Sequence, residues 1–390
     1  MKPSLPRLTL VLGALAAFAP MTTDMYLPSL PTLAREFEAT GGAVQLTLAA
    51  FFIGLAAGQL LYGPLADRYG RKPPLYAGIV LFIAASALCA LAPSLDALVA
   101  LRFLQATGCC AGIVISRAVV RDLFEAHEAA RMFSLIMLVM GVAPILAPLA
   151  GGYLLVLLGW QSIFWALALF GALCLLAAAA WLPETRAPHA AVALSRALPG
   201  YLLLLRDRRF LGFTLAGGLA QGGMFAYISG SPQVFIDVYG VPAQHYGWLF
   251  GLNAFGLIAA SQLNRRLLRR MGPQAVLDRA ASVNAALGVV LLLLVATGGL
   301  GFAGILLPLF GYVASLGMIF PNSQALALAE HGVRAGTASA LIGTLQFGVA
   351  GIASSLVGAL YDGSALPMAA VIAVCGVLAL LSGRVLVPRG

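Results

Sequence analysis

The stretch Gly-Pro-Leu-Ala-Asp-Arg-Tyr-Gly-Arg-Lys at residues 63–72 ends one long apolar segment and begins the next. Gly63 permits close helix packing and Gly70 permits a tight turn, while Asp67 stands among cations with which it can pair. Such a charge cluster can hold one face of a helical bundle shut in one state and release it in another. The alternative is that the cations only mark the membrane face on which the turn lies. The expected gate residues are Gly63, Asp67, Arg71, Arg121 and Asp122.

The composition on both sides of this turn is that of a membrane protein. Of 390 residues, 61% are apolar and 9% are charged, whereas soluble domains carry about 25% charged residues. A soluble enzyme, a secreted module and a disordered chain are therefore excluded. A span needs roughly 20 apolar residues, and twelve segments qualify: 8–30, 43–65, 75–93, 95–119, 131–158, 161–182, 210–235, 245–263, 275–297, 301–328, 336–360 and 366–386.

The net charge of +9 is distributed unevenly between the two faces of the membrane. If the N-terminus is cytoplasmic, arginines and lysines collect in the inner loops, and Arg35 is the basic residue left outside. This asymmetry follows the positive-inside rule. It predicts a multi-pass membrane protein with an even number of spans and both termini in the cytoplasm. The basic surplus then contacts anionic lipids and does not bind nucleic acid.

The twelve segments fall into two groups of six around the polar stretch 183–209. We expect an N-terminal six-helix bundle at 1–182, a cytoplasmic linker at 183–209 and a C-terminal six-helix bundle at 210–384. Internal symmetry of this kind is typical of secondary transporters. Residues 385–390 resemble a protease-site remnant of an expression tag and are set apart.

Features of enzymes and ATP-driven pumps do not occur in the sequence. There is no Walker A motif, and no acidic cluster or pair of histidines inside the membrane suits a metal. The five cysteines lie inside apolar segments, where they fit as small apolar fillers. We expect no cofactor, no metal and no enzymatic activity, with energy supplied by an ion gradient or by a partner subunit.

Asp24 is the acid expected within the hydrocarbon core, and an intramembrane carboxylate is a functional candidate by default. Arg102, at a similar depth in the fourth segment, is its expected electrostatic partner, with Gln105 on the same helix face. The alternatives are an Asp24 near enough to the surface to be hydrated and an Arg102 that extends to the headgroups. Arg117 can face either a cavity or the headgroups.

The fifth segment contains a proline-rich and glycine-rich run at residues 141–152. Two prolines remove backbone donors and bend a helix, and small residues let a neighbouring helix approach. We expect a hinge at which the two halves rock; the alternative is an ordinary kinked helix. The hinge residues are Gly141, Pro144, Pro148, Gly151 and Gly152.

These stretches resemble motifs of one family. Residues 63–72 resemble the loop signature of the major facilitator superfamily, residues 101–108 its proton-coupled fourth helix, and residues 141–152 the fifth-helix motif of its drug:proton antiporters. Residues 24–28, 58–67 and 121–124 resemble the bicyclomycin/chloramphenicol-resistance (Bcr/CflA) group, and residues 222–227, 246–253 and 335–339 its bicyclomycin-resistance branch. Some relatives carry a second acid in the first helix, whereas positions 13–20 here have none.

The resemblance implies an all-α fold of twelve transmembrane helices in two pseudo-symmetric six-helix bundles. It implies a protein of the bacterial inner membrane that exports small antibiotic-like molecules of bicyclomycin or phenicol type in exchange for protons. A monomer is the simplest expectation. The alternative is a proton-coupled symporter, or an exporter of a small polar metabolite. Candidate substrate contacts, each of which could instead be an interhelical hydrogen bond, are Tyr26, Gln105, Gln221, Phe225, Tyr227, Asn253, Tyr312, Asn322 and Gln346.

Overall fold

A computed structural model describes residues 5–124, 126–185, 194–331 and 335–387. These residues form α1 Leu5–Ala16, α2 Phe18–Asp24, α3 Leu30–Glu36, α4 Gly41–Tyr69, α5 Lys72–Ala90, α6 Leu95–Leu123, α7 Ala126–Leu158, α8 Gln161–Trp181, α9 Leu194–Arg206, α10 Arg208–Pro232, α11 Ala243–Leu267, α12 Pro273–Thr297, α13 Gly301–Leu328, α14 Ala335–Ala359 and α15 Leu366–Val385. A 3-10 turn, Leu27–Ser29, joins α2 to α3, and a π-helical turn, Gln233–Val238, extends α10.

The first span is broken. Helix Arg7–Ala16 meets the segment Phe18–Glu36 at an angle of 43°. Pro20 lies just past this break and lacks the N–H that would donate to the carbonyl of Ala16, so the helical ladder is interrupted there. The break brings Asp24 to the end of α2, next to non-standard helical backbone in the middle of the protein.

The helices account for twelve membrane passages. Within the described residues, eight helices are long and apolar enough to cross a membrane, and the bent first span is a ninth. The other three passages are α7, α10 and α11, which carry glycines, prolines and polar side chains at the contacts between the halves. The predicted all-α, twelve-helix fold class is confirmed, whereas the exact bundle boundaries 1–182 and 210–384 stay predictions.

The two halves meet along two helix pairs, α4 with α14 and α7 with α11. We call the face that carries loops 37–40, 159–160, 239–242 and 360–365 the closed face, and the opposite one, with the turn 70–71, the basic face. At the closed face the backbones of Gly42 and Gly358 touch, so that a Cβ on Gly358 would lie 2.7 Å from the Gly42 carbonyl oxygen. Further along the same pair, Gly343 packs on the Gln59 side chain. The contact between the halves is therefore tightest at the closed face.

The linker and the last described residues both have regular contacts or structure. The expected linker 183–209 contains helix α9, and residues 186–193 lie outside the described part. Leu386 and Val387 pack against Gly212 of α10, and Val387 is 3% exposed. The interpretation of residues 385–390 as a tag remnant stays a prediction. Residues 388–390 are not described.

Candidate functional site between the two halves

Arg102 is fully enclosed in the first half. Its Nη1 donates to Gln105 Oε1 at 2.6 Å, and both terminal nitrogens lie 3.4 Å from the Thr22 carbonyl oxygen. The rings of Tyr26 and Phe51 lie 4.5 and 4.4 Å from its guanidinium carbon. Because a desolvated cation over a ring gains about 2 kcal/mol or more, these rings offset part of the cost of burying the charge.

The neighbours of Arg102 are themselves fixed by hydrogen bonds. Gln105 Nε2 donates to Ser86 Oγ at 2.8 Å, and the Tyr26 hydroxyl shares a 2.8 Å hydrogen bond with Thr47 Oγ1. Gln105 lies one turn after Arg102 on α6, so this pairing was visible in the sequence spacing. Both Tyr26 and Gln105, predicted as substrate contacts, are thus part of the Arg102 surroundings.

The expected ion pair between Asp24 and Arg102 is not present in this structure. Among the described residues, the polar partners of Arg102 are Gln105 and Thr22. The reason is the helical repeat: two residues correspond to about 200° around the axis. Since Tyr26 faces Arg102, Asp24 faces the other side of the first span. Hydropathy along the chain predicts the depth of Asp24 in the membrane but not the direction of its side chain.

Asp24 instead faces the second half. It is 4% exposed, and the 3-10 turn that follows it packs against α10 and α11, which carry the buried side chains of Tyr227 and Tyr246. Asn253 Nδ2 donates to the Tyr227 hydroxyl at 2.9 Å, and Tyr246 and Ser231 share a hydrogen bond of 2.7 Å. We call these five buried residues the cross-half cluster. Two of its members besides Asp24, Tyr227 and Asn253, were predicted as substrate contacts.

Tyr246 and Ser231 were missed as site residues. Tyr246 begins the stretch 246–253, whose signal is a resemblance to a family and not a role for this side chain. A serine near a proline carries no sequence signal of its own. An apolar contact between the halves also lies here, because the tilted rings of Phe225 on α10 and Phe52 on α4 pack with centroids 4.3 Å apart. The predicted residue Phe225 therefore lies at the same junction.

Other predicted substrate contacts lie within the second half. Tyr312 donates to the Ala220 carbonyl at 3.4 Å, and Asn322 donates to Asn264 Oδ1 at 2.8 Å. These are interhelical hydrogen bonds, the alternative stated above. Gln346 packs against Gly217 and Gly218 of α10, and Gln221 is half-buried on α10. Their roles in substrate binding stay predictions.

The charge cluster at the basic face is formed by Arg71. This side chain is 5% exposed; its Nε lies 2.7 Å from Asp122 Oδ2, and its Nη1 lies 2.9 Å from Asp67 Oδ1. Burial lowers the pKa of Arg71, but the hydrogen bonds to Asp122 and Asp67 outweigh it and leave the pKa above its usual value. The ion pair expected from the spacing of residues 67 and 71 forms, and its function as a gate stays a prediction.

Glu184, which the sequence reading did not single out, completes this cluster. Its carboxylate accepts hydrogen bonds from the backbone N–H groups of Arg71 at 2.7 Å and Lys72 at 2.9 Å, at the start of α5. Thr185 donates to Asp122 Oδ2 at 2.9 Å. The linker is thereby attached to the turn between α4 and α5.

Two other expected residues of this face give less information. The side chain of Arg121 lies outside the described part of the structure. Arg117 is exposed, and its orientation toward a cavity or the headgroups stays open. Gly63, also predicted for the gate, has open space where a Cβ would stand.

The expected hinge lies where α7 crosses the first span and α11. The helix continues through Pro144 and Pro148. Gly151 packs against the carbonyl of Met25, and a Cβ on Gly152 would lie 2.7 Å from the Ala243 carbonyl oxygen. The segment that begins at Gly141 thus lies at the boundary between the halves, and it contacts Met25, the residue that follows Asp24. Hinge motion itself stays a prediction.

The described residues contain no group of three or more His, Cys, Asp or Glu side chains that could hold a metal. The five cysteines are buried and not disulfide-bonded. Buried charges at the junction of two helical halves are instead the arrangement of a secondary solute transporter.

Comparison with known proteins identifies the family. The Major Facilitator Superfamily model matches residues 12–355, and the chain belongs to this superfamily. It is a multi-pass membrane transport protein and not an enzyme. The D-xylose–proton symporter structure has the same fold, with a TM-score of 0.76 and 19% identity over 98% of both chains.

Relatives in sequence narrow the group. The chain is 38% identical, over 96% of its length and 94% of the relative, to the uncharacterized MFS-type transporter YdgK of Bacillus subtilis. It is 33% identical to a bicyclomycin resistance protein homolog of Haemophilus influenzae, over 97% and 96% of the two chains. It is 30% identical to multidrug resistance protein MdtL of Escherichia coli K12, over 85% and 83%. These relatives fit the drug:proton antiporters of the Bcr/CflA group.

Proposed function

We propose that this transporter exports small antibiotic-like molecules of bicyclomycin or phenicol type in exchange for protons. The observation that carries the proposal is Asp24, a carboxyl group buried between the two halves with no ion pair to a described residue. Desolvation penalises its ionised form, and the penalty changes when the halves separate and water enters. Its protonation is therefore linked to which face is closed.

The chemistry around the junction supports a neutral or weakly polar substrate. Phe225 and Phe52 offer apolar rings, and Gln346 offers an amide close to α10. The described acids of the second half lie at helix ends or in loops, where they would not meet a cation in the membrane centre: Asp207, Asp237, Asp278, Glu330 and Asp362. The names of two relatives, bicyclomycin resistance and multidrug resistance, agree with such a substrate.

The proposed cycle uses the two faces in turn. The basic face lies on the cytoplasmic side of a bacterial inner membrane, in contact with anionic lipids. The protein works as a monomer. When the halves separate at the closed face, Asp24 accepts a proton from outside. The halves then close over it. Drug binds from the cytoplasm as the proton leaves. The membrane potential contributes about 2.3 kcal/mol per charge per 100 mV.

The test is drug-dependent proton movement in proteoliposomes. Wild type, Asp24→Asn and the control Asp237→Asn are compared with bicyclomycin and with a phenicol. When drug is added outside the vesicles, we expect one or both drugs to drive protons out of the lumen in wild type and in the control. We expect Asp24→Asn to bind drug without proton flux. Drug and proton moving in the same direction would establish the symporter instead. If neither drug moves protons, a polar metabolite becomes the substrate to seek.

A further inference from the structure

Two glutamine side chains at the closed face are fully buried and incompletely hydrogen-bonded. Gln45 lies one turn after Gly41 on α4 of the first half, and Gln233 begins the π-helical turn of the second half. Both glutamines are 0% exposed. In the described part of the structure, Gln45 Nε2, Gln45 Oε1 and Gln233 Oε1 have no hydrogen-bond partner. Each half therefore buries an amide group with unused hydrogen-bonding capacity.

Both glutamines lie at the same turn of α4. Gln233 Nε2 donates to the Gly41 carbonyl oxygen at 3.4 Å, which is a hydrogen bond between the halves. A Cβ on Gly41 would lie 3.3 Å from Gln233 Cγ, and a Cβ on Gly358 of α14 would lie 3.5 Å from Gln45 Oε1. Since residues 41 and 45 are about 40° apart around the helix axis, both amides lie on the side of α4 that faces the second half.

These amides are unfavourable in the closed state and gain partners when it opens. A buried polar group without a partner destabilises the state that buries it, so apolar side chains would close this face better. Separation of the halves breaks the hydrogen bond from Gln233 to Gly41 and moves Gly358 away from Gln45. Each amide then presents an N–H donor and a carbonyl acceptor at the opening, one amide from each half.

We infer that Gln45 and Gln233 form a binding site for the exported molecule as it leaves, and that this site selects uncharged molecules that carry secondary amides. The inference rests on the proposed export of antibiotic-like molecules. A secondary amide has an N–H donor and a carbonyl acceptor, and a glutamine amide offers the complementary pair. Neither glutamine carries a charge that would favour an ion. Closure returns Gln233 to Gly41 and expels the molecule to the outside.

The test compares the binding of two probes, bicyclomycin and its derivative methylated at the ring amide nitrogens. Methylation removes the N–H donors and leaves the carbonyl acceptors in place. Dissociation constants are measured by titration calorimetry on purified full-length protein, without a proton gradient. The variants are Gln45→Met and Gln233→Met, in which a side chain of similar length lacks the amide. The matched control is Gln274→Met at the start of α12, on the basic face.

The expected result is a change in the ratio of the two dissociation constants. Wild type and Gln274→Met should bind bicyclomycin more tightly than the methylated derivative by about tenfold or more, because a site built to accept a hydrogen bond rejects an analogue without the donor. In Gln45→Met and in Gln233→Met this ratio should fall about tenfold, the value of one hydrogen bond. A changed proportion of shut to open molecules affects both probes equally and cancels in the ratio, so a purely structural role leaves it unchanged.

Four results would overturn the inference. They are an unchanged ratio in either glutamine variant, an equal fall in Gln274→Met, equal binding of both probes by wild type, and no binding of bicyclomycin. The measurement is separate from proton coupling because no gradient is present. Protein that shows the expected ratios but moves no protons in the flux experiment would contradict the proposed exchange and retain this site. Unchanged ratios together with normal drug-dependent flux would do the opposite.

Discussion

Gln45 provides a direct test of how the closed face is held. Its side chain is fully buried on α4 and packs against Gly358 of α14, with a Cβ on that glycine 3.2 Å from Gln45 Cβ. Neither its Nε2 nor its Oε1 has a hydrogen-bond partner among the described residues. When the halves separate, this amide meets water. The closed state therefore carries a desolvation cost that the open state lacks.

Replacing Gln45 by leucine should favour the closed face. Leucine fills the contact with an apolar side chain and removes the unpartnered Nε2 and Oε1 atoms of Gln45. An unsatisfied buried polar group costs about 1–3 kcal/mol, which corresponds to about a 5- to 150-fold increase in the ratio of shut to open molecules. Turnover should fall, because re-opening becomes the slow step.

The assay measures, by electron–electron resonance, the distance between spin labels at Leu91→Cys and Leu360→Cys, two exposed positions at the closed face, one in each half. Transport in vesicles is measured alongside. The matched control is Gln59→Leu on the same helix, since Gln59 also packs against α14 but keeps 5% exposure. The control should leave the shut fraction close to wild type. A Gln45→Leu protein that opens more, or that moves no further than the control, would refute the reasoning.

Three further predictions use other contacts. Gly42→Ala places a methyl group on the Gly358 carbonyl and should hold the closed face open, with transport reduced at least about tenfold because overpacking costs about 1–3 kcal/mol; Gly63→Ala, with open space at its Cβ, should transport normally. Arg71→Lys should lower the thermal unfolding temperature in detergent, since one ammonium cannot replace the guanidinium that bridges two carboxylates, and a temperature equal to wild type would contradict this. Glu184→Ala should cost about 1 kcal/mol of stability, the value of a helix cap, with unchanged denaturant midpoint as the contrary result.

Local interactions were predictable from the sequence. Arg71 and Asp67 are four residues apart, and Arg102 and Gln105 are three apart, so helical geometry alone brings each pair together. Composition determined the membrane class and the number of passages, because a bilayer sets the length of an apolar helix. The glycines at 141–152 predicted close packing, because small residues let neighbouring helix backbones approach each other.

Only the tertiary structure decided which side of the first span Asp24 faces. Hydropathy gives the depth of a residue in the membrane but not the direction in which its side chain points, and a bend in the first span changes that direction. The contact of Glu184 with the Arg71 backbone, 113 residues away, and the packing of Gly42 on Gly358 likewise depend on how distant helices meet. Apolar spans all satisfy the bilayer equally well, so their mutual arrangement is set by side-chain packing and hydrogen bonds between them. That arrangement packs the turn after the acid of the first half against α10 and α11 of the second.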